Sequence, residues 1–213
     1  MLGEIRLRIA GRRARGRVTV PLLVDGDEVL MDSVAIARHA EREGQGAPLF
    51  PAGCDDEITA WNERSEEVMT AGRAMLLPRL GQSAGALREQ LPPFVPRALR
   101  PMLKPLASSG VSYLARKYGV RFEDGPAHES RARASLDTLR SALADGRERL
   151  VGEALSFADI TMATALQFIL PVADHSMPLG PATREAWTHQ ALASEYADLL
   201  VWRDQLYAEA RHP

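Results

Sequence analysis

The chain has 213 residues, 46% of them hydrophobic and 25% charged, with a net charge of −2. That length suits one domain or two small ones, with about 70% of the unfolded surface buried on folding. The near-neutral balance supplies no field for nucleic acid or a membrane surface. The single cysteine, Cys54, excludes an internal disulfide and a cysteine-based metal cluster. No apolar run approaches the roughly 20 residues that span a bilayer. Arg6, Arg8, Arg12 and Arg13 interrupt any signal-peptide core. Glu4 and the lack of serine beside it argue against an organellar presequence, so a cytoplasmic location is expected.

Residues 4–10 alternate, with Ile5, Leu7 and Ile9 on one side and Arg6 and Arg8 on the other. Period two predicts a half-buried strand, with a helical turn as the alternative for so short a segment. A basic loop follows, from Gly11 to Arg17. Val18 to Val24 is a β-branched run broken by Pro21, Asp25-Gly26-Asp27 is a turn signal, and Glu28 to Met31 returns as a partner strand. Asp32-Ser33 then opens a helix with Val34, Ile36, Ala37 and Ala40 as its apolar positions, and Gly44 stops it. Residues 44–54 are rich in Gly and Pro and have no period, which reads as a linker.

From Asp55 the texture changes. Ile58, Trp61, Ser65, Val68, Gly72 and Met75 recur at helical spacing, in a long helix entered through Asp55 or Asp56. Residues 91–105 hold five prolines and read as a constrained connection. Helical texture resumes near Val111 and ends near Gly119. Pro126 opens a further helix with Ala132, Leu136, Leu139 and Leu143 buried. Ser156 to Leu170 is the most apolar helix and is expected at the centre, and Pro171 ends it. A last helix runs from about Ser194 to Ala210, with Leu199, Trp202, Leu206 and Tyr207 inward.

Three motifs carry chemistry. Val20-Pro21 is a candidate for a cis peptide bond, which would turn the Val20 backbone N–H and C=O outward to pair with an extended peptide. A trans proline on an edge strand is the alternative. Asp32-Ser33 stands at a helix N-terminus, where free N–H groups and partial positive charge favour a carboxylate. Ser33 adds a hydroxyl, and Asp32 can hold a neighbouring ammonium; an ordinary N-cap is the simpler role for the pair. Ser156-Phe157-Ala158-Asp159 is a structural capping box, flanked by Leu155 and Ile160 at staple positions. The histidines show no metal-ligand spacing, so no metal is expected.

Residues 17–45 and 150–170 together resemble glutathione transferases. The first stretch resembles the latter half of their thioredoxin-like domain. Gly152 and Ser156-Phe157-Ala158-Asp159 resemble the start of their core helix. Pro48-Leu49-Phe50-Pro51 falls where the family joins its domains, and Leu199-Leu200-Val201-Trp202 fits a late helix. The resemblance implies α/β plus all-α architecture, mostly α overall. A partial thioredoxin-like domain spans 1–45, a linker 46–54 and an all-α domain 55–213. It implies that Val20 pairs with the cysteinyl backbone of glutathione beside a cis-Pro21. Asp32 and Ser33 would hold the γ-glutamyl end, and Arg17 the glycyl carboxylate. Six arginines crowd residues 6–17, and most of them read as a solvated basic loop.

The resemblance further implies a homodimer that adds the glutathione thiol to a small hydrophobic electrophile, a detoxification chemistry. Met69 and Met75 would offer adaptable apolar surface to the second substrate. A non-catalytic binding or scaffold protein is the alternative, as is a glutathione-dependent isomerase or dehalogenase on the same fold. The family activates the thiol with a Tyr, Ser or Cys near its first strand or helix. This chain has no Tyr before Tyr113 and no Ser before Ser33, so the catalytic residue stays unassigned. The expectation is that Met1 is internal to a longer protein rather than the start of a non-catalytic remnant.

Overall fold

The computed structural model describes residues 19–91, 104–117, 119 and 125–210. The strand expected at residues 4–10 and Arg17 lie outside the described residues. The described residues begin with a two-stranded antiparallel hairpin, β1 (Leu23–Asp25) and β2 (Glu28–Leu30). Its register pairs Leu23 with Leu30, Val24 with Val29 and Asp25 with Glu28. Gly26 and Asp27 form the loop, and only Gly26 takes a positive φ, +55°. That arrangement suits the right-handed twist of the flanking strands. The first strand is shorter than the Val18–Val24 run suggests. Pro21 has no N–H to give a ladder, so pairing begins two residues beyond it.

Helix α1 (Ser33–Glu43) follows at once, with Asp32 as N-cap. Gly44 ends it without a left-handed turn, at φ −83°. The glycine is needed for room instead, since a Cβ there would lie 2.7 Å from the Ala40 carbonyl oxygen. The apolar stripe is only partly right. Val34, Ile36 and Ala37 are half-buried, Ala40 is exposed, and the buried residue is His39.

Residues 44–54 have no regular structure, yet they are firmly held. Leu49 accepts a hydrogen bond from Phe157 N at 2.8 Å, and Phe50 N donates to Glu41 Oε1 at 2.9 Å. Phe50 is buried and stacks on Phe157 with ring centres 5.1 Å apart.

The remainder is helical. Helix α2 (Asp55–Gln82) is the spine. Cys54, not Asp55 or Asp56, occupies its N-cap, and it makes no side-chain cap bond. Asp55, Asp56 and Glu57 instead fill the first turn, where negative charge opposes the helix dipole. Ile58, Trp61, Ser65, Val68 and Gly72 are buried, and Met75 packs partly buried against the main core. After α3 (Ala84–Glu89), α4 (Lys104–Lys117) starts well before the expected Val111. Helix α5 (Gly125–Ala142) buries Ala132, Ser135, Leu136 and Leu139. Helix α6 (Phe157–Ala165) runs into a 3-10 turn, Leu166–Phe168, and is buried along most of its length. Spine α2 packs chiefly on α5 and α6.

Two further short helices, α7 (Pro181–Trp187) and α8 (Gln190–Glu195), precede α9 (Ala197–Glu209). The single closing helix expected from Ser194 is therefore broken at Tyr196, which has ψ 34°. Tyr196 is fully buried, and its hydroxyl donates to Asp137 Oδ1 at 2.8 Å. Burial, reinforced by that carboxylate, pushes its pKa up to about 12. Arg203 on α9 is buried and donates to the Leu170 carbonyl at 2.5 Å and to Asp204 Oδ1 at 2.9 Å. A smaller apolar cluster of Leu77, Leu87, Val111 and Ala115 joins α2, α3 and α4.

Candidate functional site

The hairpin brings the two N-terminal motifs together. With Leu23 opposite Leu30, the chain before β1 runs alongside the chain after β2. Thr19 Oγ1 donates to the Met31 carbonyl at 3.5 Å, so Thr19-Val20-Pro21 lies beside Met31-Asp32-Ser33. The Val20–Pro21 peptide bond is cis. Val20 is 72% exposed, and no backbone hydrogen bond reaches it from the described residues. Among the described residues, the Val20 backbone donor and acceptor have no partner, and they lie next to a helix tip.

At that tip, Asp32 is extended (φ −106°, ψ 135°) and its Oδ1 accepts from Ala35 N at 2.9 Å. Its carbonyl accepts from Ile36 N at 2.9 Å. The ordinary cap role is therefore real. One carboxylate oxygen serves it, and the N–H groups of Ser33 and Val34 donate to no described residue. These donors, the Ser33 hydroxyl and the end of the helix dipole make an anion-favouring corner beside the Asp32 carboxylate.

Helix α1 is tied to the helical body behind this corner. Arg38 pairs with Asp55 and lies 3.9 Å over the Phe50 ring. A small cavity of about 60 Å³ remains between Val34, Phe50, Ile58, Asn62 and Phe157. It is far below the roughly 300 Å³ at which ligand pockets begin.

A larger cleft of about 630 Å³ lies between α2 and α5. Glu63, Glu66, Glu67 and Thr70 line it from α2, and His128, Arg131 and Ser135 from α5. Two hydrogen bonds engage polar groups of its walls. Ser135 Oγ donates to Glu67 Oε2 at 2.8 Å, and Arg64 donates to Thr138 Oγ1 at 3.3 Å. Neither Met69 nor Met75 lines either cavity. Met75 faces the core, whereas Met69 is half-buried on another side of α2.

The capping box forms as its spacing predicts. Ser156 Oγ accepts from Asp159 N at 3.4 Å and donates to Asp159 Oδ2 at 2.7 Å, which also accepts from Ser156 N at 2.8 Å. The second oxygen, Oδ1, accepts from Leu150 N at 2.8 Å. That last bond reaches past the local motif and ties the preceding loop to α6. Gly152 turns that loop at φ +70°. Among the described residues, no group of three or more His, Cys, Asp or Glu side chains could hold a metal ion.

Sequence reasoning left His39 without a role. The structure places it between Asp25 of β1 and Glu28 of β2, 2.9 Å and 3.2 Å from their carboxylates. Its place in the second turn of a helix that begins at Ser33 was the available signal.

A hairpin and helix that expose a cis-proline corner, carried on an all-helical body, define a two-part architecture rather than a plain helical bundle. The family model for the glutathione S-transferase C-terminal domain matches residues 71–204, more than half of the chain. The chain belongs to the glutathione S-transferase family. No curated protein and no solved structure matches it significantly.

Proposed function

We propose that this protein binds glutathione at the corner between Val20 and α1 and transfers its thiol to an electrophilic small molecule. The observation that carries the reading is the hydrogen-bonded juxtaposition of Thr19-Val20-Pro21 with Met31-Asp32-Ser33. The exposed Val20 backbone can pair with the cysteinyl unit as a strand would. The γ-glutamyl carboxylate fits the free N–H groups and hydroxyl at Ser33, and its ammonium the open Asp32 oxygen. Arg17 is the candidate for the glycyl carboxylate.

In the reaction the thiol loses its proton and the thiolate attacks an electrophilic carbon. The new C–S bond forms as a leaving group departs or an activated double bond takes up a proton. The corner supports this by positioning, which removes much of the entropic cost of a bimolecular step. Lowering the thiol pKa from near 8.5 needs a donor beside the sulfur, and none of the described residues is assigned to it. The second substrate is proposed to meet the Met69 side of α2. The polar cleft between α2 and α5 suits it poorly, because its walls are charged. A homodimer in the cytoplasm, with boundaries at 45 and 55, completes the proposal.

A second reading is a glutathione-binding scaffold without turnover. Use of glutathione as a cofactor for isomerisation or dehalogenation is a third, since fold does not choose among reactions. Retention on a glutathione column, with elution by free glutathione, tests the corner. Conjugation of a generic aryl halide then tests transfer. Retention without turnover selects the scaffold, and failure to be retained removes all three.

A further inference from the structure

Charge is unevenly spread along the chain. From Ala84 to Phe122 the sequence holds seven Lys or Arg and one acid, Glu89, a balance of +6. The whole chain carries −2, so the remaining residues carry −8. Glu89 is already engaged, accepting from the N–H groups of Ala182 and Thr183 and from the Thr183 hydroxyl. The near-neutral total therefore averages a basic segment with an acidic remainder.

Helix α4 turns part of this segment outward. Val111 and Ala115 are buried against Leu77 of α2 and Leu87 of α3. Its other side shows Tyr113, 47% exposed, and Leu114, 38% exposed. Lys117 stands one turn on from both, and Arg116 one turn on from Tyr113. Both cations are exposed, as is Arg88 on the adjoining α3.

An aromatic and an aliphatic side chain set among cations on one helical face match the boundary of an anionic bilayer. Tyrosine favours the headgroup level, with its ring in the apolar zone and its hydroxyl in water. Leucine reaches the acyl edge, and the cations meet lipid phosphates. No helix of the described residues is long and apolar enough to cross a membrane. A nucleic acid duplex would offer the same cations its phosphates but leave Leu114 without an apolar partner.

We propose that α4 is a docking surface for an anionic lipid bilayer. Tyr113 and Leu114 enter the interface, and Arg88, Arg116 and Lys117 face its phosphates. The basic segment draws the protein in, and repulsion of the acidic remainder orients it.

The test is flotation of the full chain with vesicles of phosphatidylcholine, alone or with about one third phosphatidylglycerol. Binding is expected to the anionic vesicles alone. It should fall about tenfold or more between about 0.05 and 0.5 M salt, as the Debye length shortens from roughly 14 to 4 Å. Each Lys or Arg near such a surface strengthens binding about fivefold, so Arg116→Gln with Lys117→Gln should weaken it about 25-fold. Tyr113→Ser with Leu114→Ser should weaken it about tenfold at unchanged charge. Both double variants alter exposed side chains and are expected to melt like wild type. Tyr113→Trp should keep binding, with its added emission shifting to the blue on vesicles, a gain that a misfolded variant would not give. Failure of wild type to float with anionic vesicles, equal flotation with neutral ones, or wild-type binding by either double variant overturns the proposal. Two results would give the surface to another partner and overturn it as well. One is tighter binding of a DNA duplex at the same salt, indifferent to the Tyr113 and Leu114 changes. The other is self-association of wild type in sedimentation that Arg116→Gln with Lys117→Gln abolishes.

Discussion

The two oxygens of Asp32 are available for different work. Oδ1 caps α1 through Ala35 N at 2.9 Å, while Oδ2 bonds to no described residue. Asparagine is as good an N-cap as aspartate, so Asp32→Asn separates the two. The variant is expected to melt within a degree or two of wild type, while glutathione affinity falls about tenfold from the lost charge-assisted bond. Thermal melting and calorimetry check this, and equal losses in both would reduce Asp32 to a cap. Residues whose partners are near in sequence were legible in this way. Ser156 and Asp159 are three positions apart, and their reciprocal bonds follow from spacing alone. The bond from Leu150 N to Asp159 did not, because it depends on how the loop at Gly152 folds back. His39 was missed because its carboxylate partners sit on a hairpin 11 and 14 residues earlier, and no helical period registers them.

At the scale of elements, helical stripes located α2, α5 and α6 correctly, because burial of one face follows the 3.6-residue period. Gly72 belongs to such a stripe for a specific reason. A Cβ there would lie 2.8 Å from Phe168 Cγ, against the 3-10 turn that extends α6. Gly72→Ala should therefore destabilise by about 1–3 kcal/mol through overpacking, despite the better helix propensity of alanine. Urea unfolding measures it, and a stabilised variant would mean that α2 and α6 can separate freely. Ends of elements were harder to place. The N-terminus of α7 has Gly180 as its cap and no side-chain cap of its own. Glu89 of α3 supplies one from 93 residues away, accepting from Ala182 N at 3.1 Å and Thr183 N at 2.7 Å. A side chain at Gly180 would collide with that carboxylate. Those hydrogen bonds outweigh the carboxylate's burial and hold the Glu89 pKa below its ordinary value. No local pattern around residue 180 announces such a partner.

For the whole molecule, Phe50 is the junction. It meets α1 through Arg38 and Glu41, and the helical body through Phe157. Phe50→Ala is expected to cost about 3–5 kcal/mol and to loosen the hairpin and α1 before the helical body. Amide exchange would show early loss of protection at residues 23–43, and uniform loss would deny the junction its role. A second long-range joint sets a pH dependence. His189 N donates to the Ile169 carbonyl at 2.7 Å, and its ring Nδ1 accepts from Leu192 N at 3.4 Å. Burial, helped by the charge of Arg79 and partly offset by Glu129, lowers its pKa. The unfolded chain then takes up this proton at higher pH than the folded one. The stability it contributes is complete above about pH 6.5 and is lost as pH falls from there toward the folded value. Urea midpoints at pH 7.5 and 5.5 should show the loss. His189→Asn, which keeps a neutral cap acceptor, should reduce it, and an unchanged slope would place the titration elsewhere.

The amino-acid order determined the hairpin turn, the helix that opens at Ser33, the stripes of the long helices and the capping box of α6. Each of these depends on groups within one or two turns of one another, where spacing is geometry. Only the tertiary structure decided that Val20 lies beside the tip of α1, that His39 is clamped between two strands, and that Phe50 joins the two parts. Those contacts bring together groups far apart along the chain. Their energies depend on burial and distance, which folding alone creates.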